Sequence, residues 1–208
     1  YAQNKAKLLA QVMNAYNTLT RQYEIVVIEG AGSPAEINLN DLDLVNMGMA
    51  KRAQAPVLLV ADIDRGGVFA SIYGTIMLLP EEERRMIKGT IINKFRGRVD
   101  SLQSGLQAIA AKTGVPVLGV IPYLQVDIED EDCLAERERV YRNAVPDGRE
   151  QAKQTKRATG AMTCQEYQEY KERQYDLLAA EIRKNVDLKA IYSIRRPEFE
   201  IKKQKIFK

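Results

Sequence analysis

Four short runs of β-branched and other apolar residues recur along the chain, at 25–28, 57–61, 90–92 and 117–120, separated by stretches with helical spacing. Runs this short that are apolar on both faces suit strands covered on two sides, unlike the in-out alternation of a surface strand. With helices between them they predict βαβ units and an interior parallel sheet flanked by helices, an α/β fold. Ahead of the first run, Leu8, Val12, Tyr16 and Leu19 fall at spacings of four, four and three, one face of an amphipathic helix that should pack on the sheet. Residues 44–52 have helical composition. Residues 101–111 predict another helix, with Ser101 as N-cap and Gly114 as terminator.

Beyond residue 121 the pattern changes. Residues 127–132 are acidic, and 137–157 are charged, poor in large apolar residues and interrupted by Pro146 and Gly148, which reads as a linker. From Gln165 a helical pattern returns with Tyr170, Leu177, Leu178 and Ile182 on one side. The expected partition is a core over 1–135, a linker over 136–164, and a carboxyl-terminal helix with a basic tail over 165–208. There is no internal repeat.

At 208 residues, 45% hydrophobic and 28% charged, the chain can bury one ordinary α/β core with an appended segment. No run approaches the length of a membrane span, and the first residues lack the features of a secretory signal, so a soluble cytoplasmic protein without membrane contact is expected. Cys133 and Cys164 are too few for a disulfide framework and are expected to be free thiols. The chain has no histidine, which excludes the usual zinc site, a Ser-His-Asp triad and any imidazole base; chemistry must rest on carboxylates, lysines, phosphates and a metal. A net charge of +3 gives no argument for nucleic acid, and the basic residues from Arg195 to Lys208 read as a solvated tail.

Three polar clusters follow three of the apolar runs. In EGAGSPAEIN, Glu29 ends the first run, Gly30 and Gly32 would let backbone approach an anionic ligand, and Ser33, Glu36 and Asn38 supply polar groups. A strand-ending acid beside a tight turn fits that spacing equally well. In VADIDRGGVFAS, Asp62, Asp64 and Arg65 precede Gly66, Gly67 and a helix start, a turn able to present amides and a guanidinium to phosphate. On spacing alone, a surface Asp64–Arg65 pair is the more economical reading. In NKFRG, Asn93 could read a planar base edge and Lys94 or Arg96 could supply charge.

The words EGAGSPAEINL, VADIDRGGVFAS, INKFRG and GVPVLGVIPYL resemble the cobyric acid synthase family, a relative of dethiobiotin synthetase in the P-loop superfamily. The resemblance runs from about residue 5 to about residue 135, and YKERQYDLLAAEIRKNVDLKAIYSI is similar to that family's carboxyl-terminal segment. It implies an incomplete P-loop NTPase, dethiobiotin synthetase-like fold that uses ATP and Mg2+ to amidate peripheral carboxylates of cobyrinic acid a,c-diamide through an acyl phosphate. It also implies Glu29 as metal ligand and, with Asp41 and Asp43, as catalytic group. Gly30, Gly32, Ser33, Glu36, Asn38, Asp64, Arg65, Asn93 and Lys94 would then line the nucleotide and substrate sites, Asn93 serving the adenine. Two departures stand out. The chain contains no G-x-x-x-x-G-K-[ST] loop, and without histidine it cannot hold the family's Cys-His-Glu glutaminase triad. The expected partners are therefore a corrin substrate, the amino-terminal P-loop segment, an amidotransferase domain, and a second copy of the chain through exposed apolar surface. Two alternatives remain at this level. One is a non-catalytic corrin-binding or partner-binding remnant of the same fold. The other is a different P-loop relative, a dethiobiotin synthetase-like or partitioning-type protein, against which SPAEINL and DIDRGGVFAS speak.

Overall fold

A computed structural model describes residues 2–36, 38, 43–128 and 164–194. It divides into two compact units, one comprising Tyr1–Pro122 with Val186–Lys208, the other Tyr123–Asn185. Of the expected linker over 136–164, residues 136–163 lie outside the described residues, as do Cys133, Asp41 and the basic tail from Arg195, while Cys164 already belongs to the helix that follows.

The first unit is built on three parallel strands, β1 (Val57–Asp62), β2 (Ile87–Phe95) and β3 (Val117–Pro122), in that spatial order. Ahead of them come α1 (Ala2–Gln22) and α2 (Met47–Ala53); α3 (Val68–Leu78) and the short α4 (Glu81–Arg84) join β1 to β2, and α5 (Gln103–Thr113) joins β2 to β3. Val68, Ile72 and Ile76 recur every fourth residue, so α3 buries one continuous stripe. That stripe meets Ile92, Ile109 and Val120 in the core, and Leu59, Ala61 and Val117 pack against it. Ile76 and Ile92 are 0% exposed, and full burial of such a side chain is worth about 1.5–3 kcal/mol. Gly105 brings α5 close to α3, because a Cβ there would lie 2.6 Å from the Phe69 ring. Beyond β3, Val186 forms an antiparallel bridge to Gly119, the Asp187 N–H donates to Leu118 O at 2.7 Å, and the Asp187 carboxylate caps α7 (Leu188–Ser193) through the Ala190 N–H.

Several sequence expectations are corrected. Residues 25–28 form no strand, and Ile25, Val27 and Ile28 are exposed. A parallel strand exists only by its partner's hydrogen bonds, and among the described residues β1 pairs with β2 alone. Val60 is 59% exposed, so β1 is not covered on both sides. Alternation points Val60 away from Leu59 and Ala61, the two residues that face the core. α1 forms as predicted, but Leu8 and Leu19 on its apolar stripe are exposed rather than packed on the sheet; Tyr16 reaches Ala53 O at 3.4 Å. Ser101 is not an N-cap. It lies within a 3-10 turn (Val99–Leu102), and its hydroxyl donates to Arg98 O at 2.7 Å. Gly114 does terminate α5, in the left-handed conformation at φ 71°.

In the second unit, α6 (Cys164–Asn185) carries the predicted carboxyl-terminal helix. Tyr170, Leu178 and Ile182 are partly buried, and Leu177 is exposed. The buried Lys171 ammonium donates to Asp127 O at 2.8 Å and lies 3.4 Å from the Asp127 carboxylate, while Gln174 Oε1 accepts the Asp127 N–H at 3.1 Å. These bonds tie residues 123–128 to α6. No described helix is long and apolar enough to cross a membrane.

Candidate functional site

Parallel strands end on the same edge of a sheet, so the residues following β1 and β2 are neighbours before any side chain is considered. Asp62, the last residue of β1, stands in register with Asn93, and the Ile63 N–H donates to Asn93 O at 3.1 Å. The Asp62 carboxylate binds in two directions: Oδ1 accepts the Asp64 N–H at 2.8 Å, and Oδ2 lies 2.9 Å from the Lys94 ammonium. One step outward, Arg96 Nε donates to Asp64 Oδ1 at 2.7 Å. The Lys94 ammonium chiefly, and the Asp64 N–H after it, hold the Asp62 carboxyl below its ordinary value. Lys94 adopts a left-handed φ of 62°, and its N–H donates to Asn93 Oδ1 at 2.8 Å. One half of the Asn93 carboxamide is thus engaged locally. Arg65 is exposed, and Gly66 and Gly67, at φ 78° and 71°, turn the chain into α3.

A second cluster gathers around the turn from Glu29 to Ser33. Asn46 stands at the N-cap of α2, yet its side chain makes no capping bond to that helix. It reaches back instead: Oδ1 accepts the Ala31 N–H at 3.1 Å, and Nδ2 donates to Ala31 O at 2.7 Å and to Ser33 O at 3.4 Å. The capping role has moved to Asp43. Its Oδ1 accepts the N–H groups of Val45 and Asn46 at 3.0 and 2.8 Å, and its Oδ2 accepts that of Gly48 at 2.8 Å. Burial pushes the Asp43 carboxyl up, but the backbone amides of Asn46, Gly48, Val45 and Met47 outweigh it, and the net effect is a lowered pKa. Gly30 is needed for space: a Cβ there would sit 2.1 Å from Asn46 Oδ1. Gly32 is at φ 63°, and a Cβ on it would lie 3.3 Å from Glu36 Oε1, so the Glu36 carboxylate crosses the turn.

Among the sequence-predicted residues, Asp62, Asp64, Asn93 and Lys94 are brought together by bonds, and Glu29, Gly30, Gly32, Ser33 and Glu36 share the second turn with Asp43 behind it. Glu29, Ser33, Glu36 and Asn38 are exposed, and Asp41 lies outside the described residues. Sequence reasoning missed Asn46. An Asn one residue before an apolar helix signals an N-cap, which would have directed its carboxamide to α2 and not to Ala31. Among the described residues, no group of three or more His, Cys, Asp or Glu converges as a metal site. Magnesium, however, keeps several waters and takes only one or two protein carboxylates together with substrate phosphates, so the exposed Glu29, with Glu36 on the same turn, has suitable donor chemistry.

Residues 1–129 match the AAA domain family. Over 141 residues the chain is 61% identical to a cobyric acid synthase of Citrobacter koseri, an alignment covering 68% of this chain and 28% of that protein. It is 59% identical over 146 residues to the cobyric acid synthases of Salmonella gallinarum and Salmonella typhimurium, covering 70% of this chain and 29% of each. The chain therefore spans under a third of the length of these curated relatives. No solved structure matches it.

Proposed function

The chain belongs to the AAA domain family, and from that premise we propose that it is a partial synthetase core of a cobyric acid synthase, an ATP-dependent amide ligase acting on corrin carboxylates. The observation that carries this reading is the assembly of Asp62, Asp64, Asn93, Lys94 and Arg96 at the carboxyl edge of a parallel sheet, in a chain 61% identical to one such synthase. In the proposed reaction a corrin carboxylate oxygen attacks the γ-phosphorus of ATP and releases ADP. Ammonia then attacks the acyl carbon, phosphate leaves, a proton is lost, and the amide remains. Such chemistry is dominated by positioning and by neutralising oxygen charge. Glu29 would hold Mg2+, which would supply that charge neutralisation when bound.

The NH2 group of Asn93 suits a ring-nitrogen acceptor of the adenine, while Lys94 and Arg65 supply cationic charge for phosphate or a substrate carboxylate. Asp64 orients Arg96 through their ion pair. Ser33, Glu36 and Asn38 are polar groups for the substrate side, and Gly30 and Gly32 let backbone come close. Asp41 stays in the proposal as a catalytic carboxylate. Asp43 enters as a support, since both its oxygens already accept backbone N–H groups. The amino-terminal P-loop segment and an amidotransferase domain are the proposed partners, supplying the phosphate cradle and the ammonia. A second reading is a corrin-binding or partner-binding remnant of the same fold without turnover.

Titration calorimetry with MgATP and then with cobyrinic acid a,c-diamide separates the two. The ligase reading expects MgATP binding that weakens at least about tenfold, or 1.4 kcal/mol, in Glu29→Gln. Corrin binding alone supports the corrin-binding remnant, and silence with both ligands overturns a usable nucleotide or corrin site in this chain by itself and marks a structural fragment.

A further inference from the structure

A helix-capping Asn ordinarily spends its side chain on its own first turn. In this chain Asp43 takes over that work with three bonds to the N–H groups of Val45, Asn46 and Gly48, which both fixes the start of α2 and releases the Asn46 carboxamide. The released carboxamide pairs with both backbone polar groups of Ala31, accepting its N–H and donating to its C=O, and adds a longer bond to Ser33 O. Only one orientation of the amide satisfies the Ala31 pair, since the oxygen must face the N–H and the NH2 group the carbonyl. Space is reserved on both sides of this arrangement. A Cβ on Gly30 would meet Asn46 Oδ1 at 2.1 Å, and one on Gly48 would meet Asp43 O at 2.1 Å. The turn that carries Glu29 makes no strand and is exposed, so its shape is not set by sheet pairing or by burial.

We propose that Asn46 is a positioning residue: braced by Asp43, its carboxamide brackets Ala31 and holds the Glu29–Ser33 turn in the conformation that presents the Glu29 carboxylate to a nucleotide-bound divalent cation. This rests on the reading of Glu29 given above. Asn46 touches no ligand in the proposal and acts only through the backbone of Ala31.

Asn46→Asp is the informative variant, because it keeps size and the acceptor while replacing the donor with a carboxylate oxygen that faces the carbonyls of Ala31 and Ser33. Three measurements on the 208-residue chain test it: hydrogen exchange at the Ala31 amide, MgATP affinity, and affinity for cobyrinic acid a,c-diamide. The expected result is faster Ala31 exchange and weaker MgATP binding, each by about fivefold or more, the size that follows loss of one net hydrogen bond. Exchange at Ile92 should stay within about twofold, and corrin affinity, which also draws on Ser33 in this turn, should weaken less than MgATP affinity. Gly30→Ala should reproduce the pattern by wedging Asn46 out. Unchanged Ala31 exchange overturns the clamp. Accelerated exchange with unchanged MgATP affinity overturns its link to Glu29, and equal weakening toward both ligands with faster exchange at Ile92 reduces Asn46 to a general stabiliser and overturns the proposal too. If the unsubstituted chain binds no MgATP, this chain by itself holds no usable nucleotide site and the link to Glu29 is overturned, while Ala31 exchange still decides whether the bracket exists.

Discussion

The Asp43 carboxylate accepts three backbone N–H groups while partly buried, and this makes its contribution depend on pH in a definite direction. Its pKa is lowered in the folded chain relative to the ordinary carboxylate value. A carboxyl depressed on folding contributes stability that is complete above the unfolded pKa and is lost as pH falls through the folded one. Asp43→Asn keeps one acceptor oxygen but turns an NH2 group toward a backbone N–H, so it should melt below the unsubstituted chain near neutral pH, by about 1–3 kcal/mol in equivalent stability, as for loss of a hydrogen bond to a charged group. That difference should shrink as the pH is lowered from about 5 to about 3, followed by thermal melts monitored by circular dichroism. A constant difference across that range would assign the effect to something other than the ionised carboxylate. Asp43 was legible as a polar residue in a promising stretch. Its use as a cap for α2 was not, because capping depends on which backbone amides a three-dimensional turn delivers to it.

At the scale of elements, the α3–α5 contact is set by one small residue. A Cβ on Gly105 would approach the Phe69 ring at 2.6 and 2.7 Å, so Gly105→Ala must push the helix or turn that half-buried ring aside. Overpacking of this kind costs about 1–3 kcal/mol, to be read as a lower urea midpoint with an unchanged m-value. Ile76→Ala removes a fully buried side chain from the same seam and should cost about 2–5 kcal/mol. The strands β1, β2 and β3 and a helix start after Gly67 were read from the chain, whereas the four-residue recurrence of Val68, Ile72 and Ile76 came into view only with the packed helix. The first apolar run, 25–28, was not separable from them by composition, since a strand is a property of a pair and the run has no partner among the described residues.

For the molecule as a whole, exposed apolar residues occur in both units, and the most exposed of them lies in the first. Val27 is 88% exposed, and Ile25, Val45 and Val60 are each at least half exposed. Exposed apolar side chains of this kind, one of them Val60 on β1, whose one described sheet neighbour is β2, promote association. The expected outcome is a concentration-dependent rise in mass by sedimentation equilibrium, reduced in the double variant Val27→Lys with Val60→Lys. A monodisperse monomer across the micromolar range for the unsubstituted chain would refute it.

The sequence by itself determined the fold class, because strand and helix periods and the Gly114 stop are local properties. It also determined the family, because long specific words survive without reference to shape. Tertiary structure decided which of these residues act on one another. The same-edge rule predicted that the residues after β1 and β2 would meet, yet only the register of Asp62 against Asn93 made an Asp62–Lys94 pair rather than an isolated surface acid. The Asp43–Asn46–Ala31 chain of bonds spans residues with no shared motif, and no periodicity encodes it. Hydrogen bonds between loops are fixed by where the packed elements place backbone amides, and that placement exists only once the chain has folded.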